Sequence, residues 1–425
     1  MKPLLEVLDP PPPASTYCVA YSGGLDSTVL LHLARAAGLP GLQALHVHHD
    51  LQDEADTWAE HCAWQCAQLQ VPFTLLRVTV PSNDPQGPEA AARRVRYAAM
   101  RAALPAAALL LTAHHAGDQA ETVLLRLLRG TGVEGLAAMS MQTVLDDLPL
   151  WRPLLKTPRR VLRAYAESQR LRWIEDPHNA APRFARSWLR TQLMPVLHSR
   201  WPDADTQLGR AAEHAADASY LLARLAAQRL AVLREANGGL SVSGLSALEP
   251  AERRLVLRHW LMALRLPVPA AEVLEHLHRD VLCAAPDATP LLRWPGVECR
   301  RYRDTLYAGT PLPVLPENLL LEWDGEQPLT LPYGLGTLSS ARPQTMQVSF
   351  ALPGVRLRPT GQPHHRSLKQ LAQAAGVPPW WRVRLPIILV NRTVVSIAGR
   401  WNTSEDVAIR WQIKPKMGLP ADWHP

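Results

Sequence analysis

Short apolar runs alternate with longer amphipathic segments in the first third of the chain. The apolar runs predict buried strands, which lie at 17–21, 42–48, 73–80 and 109–113. Between them, apolar residues recur at helical spacing, which predicts helices at 28–37, 53–70, 89–103 and 118–129. This alternation is typical of an α/β fold with a doubly wound parallel sheet. The ligand site of such a sheet lies beyond the carboxyl ends of its strands.

The rest of the chain shows longer helices and then short strands. Helical spacing predicts helices at 159–171, 183–197, 206–236, 250–266 and 271–282. Alternation and turn residues predict a hairpin at 296–308, a linker with short strands at 311–343, one helix at 367–375, and strands at 355–358, 387–390 and 393–398. We therefore predict an α/β domain over 1–203, a mainly helical middle domain over 204–310 and a small α+β domain over 311–425.

Composition narrows the class of protein. The chain has 425 residues, of which 47% are hydrophobic, and this is enough for two or three domains with large cores. Residues 1–13 lack the basic and apolar regions of a signal peptide, and no apolar run reaches transmembrane length. The five cysteines are scattered and odd in number, which argues against a disulfide framework. We expect a cytoplasmic protein without a membrane partner, either a monomer or a homodimer.

The charge balance is basic, at +7 with a pI near 9.4. Lysine is rare, so arginine carries nearly all of the positive charge. Arginine forks match phosphate oxygens and stack on bases, which favours a polyanionic partner. A general compositional bias is the alternative, because alanine and leucine are also abundant.

The Gly-rich stretch SGGLDS at 22–27 follows the first predicted strand and precedes the first helix. Phosphate binds well there, because the first N–H groups of a helix have no intrahelical partner. The two glycines let the backbone approach an anion, and the two serine hydroxyls add hydrogen bonds. Asp26 suits this place if it holds a Mg²⁺ that bridges phosphate oxygens. The alternative is a tight turn in which Ser and Asp cap the helix.

A second polar stretch, AHHAGDQAET at 113–122, opens the helix after the fourth strand. Asp118 and Glu121 are three residues apart and share a helix face, and His114 lies just before that helix. Together they combine a base with two carboxylates. The alternative is helix capping, with Asp118 as the N-cap and Glu121 as its capping-box partner.

Two other groups invite a metal interpretation. The run HVHHD at 46–50 lies on a strand, whose side chains alternate between faces and cannot all converge on one ion, so we favour a structural or nucleotide-edge role. Cys62 and Cys66 have helical spacing and no second pair. A cluster-binding thiolase is therefore disfavoured.

These motifs resemble those of the tRNA(Ile)-lysidine synthetase family, a branch of the PP-loop ATP pyrophosphatases. The matching stretches are SGGLDS at 22–27, HVHHDL at 46–51, EAAARRVRY at 89–97, AHHAGDQAET at 113–122, RLLRGTG at 126–132, EDPHN at 175–179, LKQL at 368–371, GVPPWWR at 376–382 and RLP at 384–386. The chain departs from the family pattern at Gly117, which replaces an acid, and at His48 and Ser187, which replace Asn. The resemblance spans nearly the whole chain and is weakest between 202 and 343.

The resemblance implies a two-step ligation on a tRNA(Ile) with a CAU anticodon. ATP would adenylate O2 of the anticodon cytidine, and the ε-amine of L-lysine would then displace AMP at C2. Asp26 would hold Mg²⁺, and ATP would be bound by Ser22, Gly23, Gly24, Leu25, Asp26 and Ser27. Asp118 and Glu121 would attract the lysine ammonium, and His114 or a carboxylate would take its proton. Arg93 would stabilise phosphoryl charge, a solvated helix face being the alternative.

The tRNA would contact two groups of residues. The first is Arg126, Arg129, Arg159, Arg160, Arg163, Arg183, Arg186 and Arg190, and the second is Lys369, Trp380, Trp381, Arg382 and Arg384. The alternative for the tryptophans is a place in a core. Two other functions stay open: another PP-loop enzyme, such as a tRNA thiolase or an amidating synthetase, and a catalytically inactive tRNA-binding protein.

Overall fold

The structure is a computed structural model that describes residues 2–49, 54–81, 84, 87–105, 107–175, 185–236, 238–285, 288–350 and 352–413. The chain divides into two compact units, Met1–Leu221 and Leu222–Pro425. Asp50, the turn at 176–179, Arg183 and the side chain of Glu89 lie outside the described residues.

The first unit confirms the predicted alternation of strands and helices. Its elements are α1 Lys2–Leu5, β1 Thr16–Ala20, α2 Leu25–Ala36, β2 Gln43–His48, α3 Ala55–Gln68, β3 Phe73–Arg77, α4 Pro88–Ala103, β4 Ala108–Leu111, α5 Ala116–Leu128, α6 Val133–Leu136, β5 Gln142–Leu145, β6 Leu148–Trp151, α7 Arg159–Ser168, α8 Ala185–Trp188, α9 Met194–Arg200 and the first part of α10 Ala204–Leu233.

The strands of this unit form one six-stranded sheet in the order β3-β2-β1-β4-β6-β5. All neighbours are parallel except β5, which runs antiparallel to β6. Both faces are covered: Tyr17 and Val19 of β1 pack into one core, and Cys18 packs into the other, as strand alternation requires. The strand order reverses between β1 and β4, so the loops that follow these two strands open on one crevice.

The apolar pattern misses the β5–β6 hairpin. Strand β5 lies at the sheet edge with alternate residues exposed, and Pro149 interrupts the apolar run of β6. Neither segment therefore gives the continuous signal of a central strand. The hairpin nevertheless extends the sheet, because Leu150 and Trp151 pair with Leu110 and Leu111 of β4.

Two helices begin earlier than predicted. Helix α2 begins at Leu25, with Gly24 as its N-cap, and α5 begins at Ala116, with His115 as its N-cap. The capping alternative for Asp118 and Glu121 is therefore wrong. The capping box joins His115 to Asp118, whose Oδ2 accepts a 3.0 Å hydrogen bond from the His115 N–H.

The second unit begins within α10 and continues with a small sheet beside helices. Its first part holds β7 Leu240–Ser241, α11 Val242–Ser246, α12 Pro250–Ala263, α13 Ala271–His276, β8 Leu291–Trp294, β9 Val297–Tyr302 and β10 Thr305–Gly309. The predicted hairpin around Arg303 is confirmed as β9–β10. It belongs to an antiparallel sheet in the order β7-β10-β9-β8, so this part is less purely helical than predicted.

The last part of the chain is rich in strands. It holds β11 Leu320–Trp323, β12 Leu329–Thr330, β13 Thr337–Ser340, β14 Met346–Ser349, β15 Arg356–Leu357, β16 Arg366–Ser367, α14 Leu368–Ala374, α15 Pro379–Arg382, β17 Ile387–Val390, β18 Thr393–Ile397, β19 Trp401–Asn402 and β20 Ile409–Gln412. The stretch 311–343 is more than a linker, because Leu331, Leu335 and Leu338 lie in the core of this part.

The predicted stacking role of Trp380 and Trp381 is wrong. Both side chains are buried, at 6% and 1% exposed, and Trp380 packs edge-on against Tyr302 and Tyr307 of the β9–β10 hairpin. Arg382 donates a hydrogen bond to the Val377 carbonyl oxygen. These tryptophans belong to a core and cannot stack on bases without opening it.

Helix α10 crosses the division between the two units, which falls at residues 221 and 222. The division of the chain at 1–203, 204–310 and 311–425 therefore stays a prediction. Among the described residues, no helix combines the length and the apolar character needed to cross a membrane.

Candidate active site

A cavity of about 560 Å³ opens where the strand order reverses, within the volume range typical of ligand sites. The loop after β1 and the residues after β4 line it, together with parts of α4, α7 and the segment 173–175. The predicted site residues among its lining are Ser22, Gly24, Leu25, Asp26, Ser27, Arg93, His114 and Asp118. Topology thus brings most of the predicted site together.

Hydroxyl hydrogen bonds hold the loop at 22–27 in shape. Ser27 Oγ donates to the Gly24 carbonyl oxygen at 3.1 Å and lies 3.0 Å from Ser22 Oγ. Gly23 has a φ of +80°, and its carbonyl oxygen accepts a 2.9 Å hydrogen bond from the Ile174 N–H. Because the first N–H groups of α2 lack intrahelical acceptors, this geometry suits the predicted phosphate site.

Gly23→Ala is expected to damage the loop. A Cβ there would lie 2.6 Å from Ile174 Cδ1 and 2.8 Å from Cys62 Sγ, in a left-handed backbone conformation that itself costs about 1–2 kcal/mol. We expect ATP binding to weaken at least about tenfold, measured by calorimetry. The control is Gly38→Ala, which has a φ of +66° but no atom within 4 Å of its Cβ. Equal ATP binding by the two variants would contradict the role of the loop.

Asp26 lies in the first turn of α2 and presents its carboxylate to the cavity. Its Oδ2 is 3.7 Å from His115 Nε2, and its Oδ1 is 3.5 Å from Arg159 Nε. Oδ1 is buried and has no hydrogen-bond partner among the described residues. Such an oxygen fits a hard cation, and Mg²⁺ in phosphate sites commonly takes only one or two carboxylates. The described residues contain no group of three metal-binding side chains, so phosphate and water would complete the coordination.

His115 is a site residue that was not predicted from the sequence, where His114 was predicted instead. Its Nδ1 accepts a 3.0 Å hydrogen bond from the Gly117 N–H, which places the proton of the neutral ring on Nε2. Nε2 faces two carboxylates, at 3.7 Å from Asp26 Oδ2 and 3.6 Å from Asp118 Oδ2. His115 therefore links the predicted phosphate end of the cavity to the predicted lysine end.

His114 lines the cavity, but its Nδ1 is bonded to the Thr112 hydroxyl at 2.8 Å. Burial lowers the pKa of His114 to about 4, against the favourable charge of Asp118. The imidazole is therefore neutral near pH 7. It is unprotonated but only weakly basic, because so low a pKa limits the driving force for taking a proton.

The low pKa of His114 predicts a loss of stability in acid. Between pH 6.5 and about pH 4 the unfolded chain binds this proton before the folded chain does, so stability falls as pH falls. The cost reaches about 2 kcal/mol by pH 5. We expect the thermal midpoint of His114→Gln to fall less than that of the wild type between pH 7 and pH 5. Equal losses would show that burial does not depress this pKa.

The structure separates the roles of the two predicted carboxylates. Asp118 lines the cavity, whereas Glu121 is 3% exposed and lies outside the lining. Arg190 donates from Nε to Glu121 Oε1 at 2.7 Å and from Nη2 to Oε2 at 3.0 Å, and its Nη2 also donates to Asp118 Oδ1 at 3.2 Å. Arg186 Nε lies 3.4 Å from Glu121 Oε2. Glu121 is thus bound by arginines.

The pKa values of these two carboxyls move in opposite directions. Burial raises the pKa of Glu121, and Arg190 only partly offsets it. Burial would also raise the pKa of Asp118, but His115, His114 and Arg190 hold it below its usual value. Asp118 lines the cavity, and its lowered pKa favours the ionised form of this carboxylate there.

Arg190 reaches this site from an irregular helix. Residues Leu189–Leu193 form a π-helical turn between α8 and α9. Pro195 accounts for it, because proline has no N–H to donate and its ring would clash with the carbonyl of Thr191 in an α-helix. The sequence shows the proline, but it does not show that the resulting π-helical turn carries Arg190 to the site.

The arginines predicted to contact tRNA fall into different environments. Arg159 and Arg163 line the cavity, and Arg129 and Arg160 are exposed. Arg126, in contrast, donates hydrogen bonds to the Gly135 and Ala138 carbonyl oxygens. Arg93 is exposed, and its guanidinium carbon lies 5.0 Å above the Tyr97 ring. Its role stays a prediction.

The described histidines and cysteines of the two suspected metal groups are partnered or buried. His46 Nδ1 lies 2.9 Å from the Tyr21 carbonyl oxygen, and His48 Nε2 lies 3.3 Å from Asp56 Oδ1. Cys62 and Cys66 are buried in the core, and burial raises the pKa of each thiol to about 12. Such thiols are poor metal ligands, because binding requires the thiolate.

The fold and the loop define a PP-loop enzyme, a class that uses ATP, and the family model of the PP-loop domain matches residues 2–197. Models of the TilS substrate binding domain and the TilS substrate C-terminal domain match residues 240–307 and 346–414. The chain belongs to the tRNA(Ile)-lysidine synthase family.

The similarity to curated members extends over most of the chain. The tRNA(Ile)-lysidine synthase of Alkalilimnicola ehrlichii is 47% identical over 405 residues, which cover 91% of this chain and 90% of that protein. The tRNA(Ile)-lysidine synthase of Methylococcus capsulatus is 41% identical, with 92% and 93% covered. A distant structural match, the U34-tRNA thiolase NcsA from Methanococcus maripaludis, is 16% identical with a TM-score of 0.41, and covers 50% of this chain and 77% of that chain.

Proposed function

We propose that this chain ligates L-lysine to C2 of the anticodon cytidine of a tRNA(Ile) with a CAU anticodon, at the expense of ATP. In the first step O2 of the cytidine attacks the α-phosphorus and pyrophosphate leaves. In the second the lysine ε-amine attacks C2, AMP leaves, and the amine gives up a proton. One observation carries the proposal: the phosphate loop and Asp118 face a single cavity in a chain of this family.

The loop and its neighbours serve the ATP half. The N–H groups at the start of α2, with the Ser22 and Ser27 hydroxyls, bind the leaving pyrophosphate. Asp26 would hold Mg²⁺, which would supply Lewis-acid neutralisation of the phosphate charge. Arg159, 3.5 Å from Asp26, adds a positive charge at the same end of the cavity. These groups are fixed before reaction, which is how electrostatic stabilisation becomes effective.

The other end of the cavity serves the second step of the reaction, the attack of lysine. Asp118 binds the substrate ammonium by charge-assisted hydrogen bonds, and Arg190 holds this carboxylate in place. An ammonium is not a nucleophile until it loses a proton. Asp118, which binds the ammonium, or the neighbouring His114 takes this proton, and Glu121 supports the site through Arg190.

The tRNA requires a large basic surface, which the exposed arginines near the cavity supply. All five cysteines are free, which suits a cytoplasmic location. We propose that the chain works as a monomer or a homodimer.

Incubation with ATP, radiolabelled lysine and bulk bacterial tRNA tests the function. Label is expected in a tRNA(Ile) with a CAU anticodon, with stoichiometric release of pyrophosphate. Lysine-independent turnover with a sulfur donor would instead identify a thiolase, and absence of label would overturn the proposal.

A further inference from the structure

Trp173 is an accessible aromatic side chain in the lining of the cavity. The described lining contains two large aromatic rings, and one of them, Tyr97, is buried, at 8% exposed. Trp173 is half-buried. We propose that Trp173, with Arg163 beside its ring, is a platform on which a nucleobase stacks within the cavity. This inference rests on the proposed function.

The ring is held in position by its neighbours. The guanidinium carbon of Arg163 lies 5.9 Å from the Trp173 ring centroid, and Arg163 Nη2 is 3.9 Å from Glu175 Oε1. Trp173 Nε1 donates to the same Glu175 oxygen at 3.4 Å. An aromatic ring with an arginine at its face stacks any base, because every base has a π-face.

The platform is also tied to the phosphate loop. Ile174, the next residue, donates its N–H to the Gly23 carbonyl oxygen at 2.9 Å and pairs with Gly24 in a parallel bridge. The distance between the ring and the loop is therefore fixed by backbone hydrogen bonds. A base on this ring would be positioned relative to phosphates on the loop, which is what transfer of AMP to a cytidine requires.

The other arginine–tryptophan pairs among the described residues of the first unit do not line the cavity. Arg172 lies 5.8 Å from the ring centroid of Trp64, a side chain that is 47% exposed, but Trp64 is outside the lining. Trp64 is therefore a matched control, with the same pairing and greater exposure but no access to the cavity.

Binding measurements with Trp173→Ala, Trp173→Leu and Trp173→Phe test the platform. The probes are a non-hydrolysable ATP analogue and an unmodified CAU anticodon stem-loop RNA. We expect Ala and Leu to weaken one probe about 5- to 100-fold and Phe to restore most of the affinity. Loss of the ATP analogue would assign adenine to the platform, and loss of the RNA would assign an anticodon base. Trp64→Ala should bind both probes as the wild type does.

The Leu and Phe variants separate stacking from packing, because both place an apolar side chain smaller than Trp at this position but only Phe has a π-face. If Leu binds as tightly as Phe, or if neither probe is weakened by Leu, the platform is ruled out. The measurement needs no ligation. A wild type that binds both probes but forms no lysidine would overturn the proposed function and leave the stacking result standing.

Discussion

Asp26→Asn is expected to reduce the rate of pyrophosphate release by about 10²- to 10³-fold or more. The carboxylate lies in the first turn of α2, where its charge opposes a bound phosphate unless a cation stands between them. Asparagine keeps the shape and removes the charge that Mg²⁺ needs. Wild-type turnover should rise with Mg²⁺ and disappear on chelation, whereas the variant should stay slow at every Mg²⁺ concentration.

The control for this change is Asp147→Asn. Asp147 lies in the β5–β6 turn, is 89% exposed, and has Arg101 at 3.3 Å. The Asp147→Asn variant loses the same charge at a distance from the phosphate loop, so its rate of pyrophosphate release should match that of the wild type. An Asp26→Asn rate within about twofold of wild type would refute the metal role and favour a non-catalytic tRNA-binding protein.

The place of this site was predictable because its signals are local. The apolar run before the loop, the two glycines and the helix after it stand next to one another in sequence. Parallel topology then brings the end of β4 to the same crevice, as the alternation of strands and helices predicts. Apart from this topology, no contact between distant residues is needed to predict where the site lies.

Which of the two histidines, His114 or His115, faces the carboxylates depends on where α5 begins. The predicted start at Asp118 is two residues late, so the prediction does not identify His115 as the N-cap residue of the helix. The actual N-cap turns the ring of His115 back onto the Gly117 N–H and aims Nε2 at the carboxylates. Element boundaries are set by such side-chain contacts, which periodicity does not report.

The incorrect predictions at other residues involve side chains whose contact partners lie far away in the sequence. Glu121 shares a face with Asp118 as predicted, but Arg190 binds it from a helix about seventy residues away. Trp380 and Trp381 stand beside arginines in sequence, as at an RNA surface, yet the β9–β10 hairpin covers Trp380. Composition shows which residues are present, and long-range packing decides which are accessible.

Asp118→Asn is expected to raise the KM for lysine by about 10- to 100-fold. Asparagine keeps an oxygen that can accept from the His115 N–H, so the cap of α5 should persist. The lost charge removes the attraction for the substrate ammonium. Lysine-independent partial reactions of ATP, measured as pyrophosphate exchange in the presence of tRNA, should stay within a few fold of the wild type.

Glu121→Gln is the matched comparison, because it makes the same chemical change one helical turn later. Glu121 is buried against Arg190 and Arg186, so loss of its charge leaves two half-buried guanidinium groups short of a counter-charge. We expect this variant to lower the thermal midpoint more than Asp118→Asn does, and to change the KM for lysine less. The reverse order of the two KM effects would assign the ammonium to Glu121, and Arg190 would then have to release it when lysine binds.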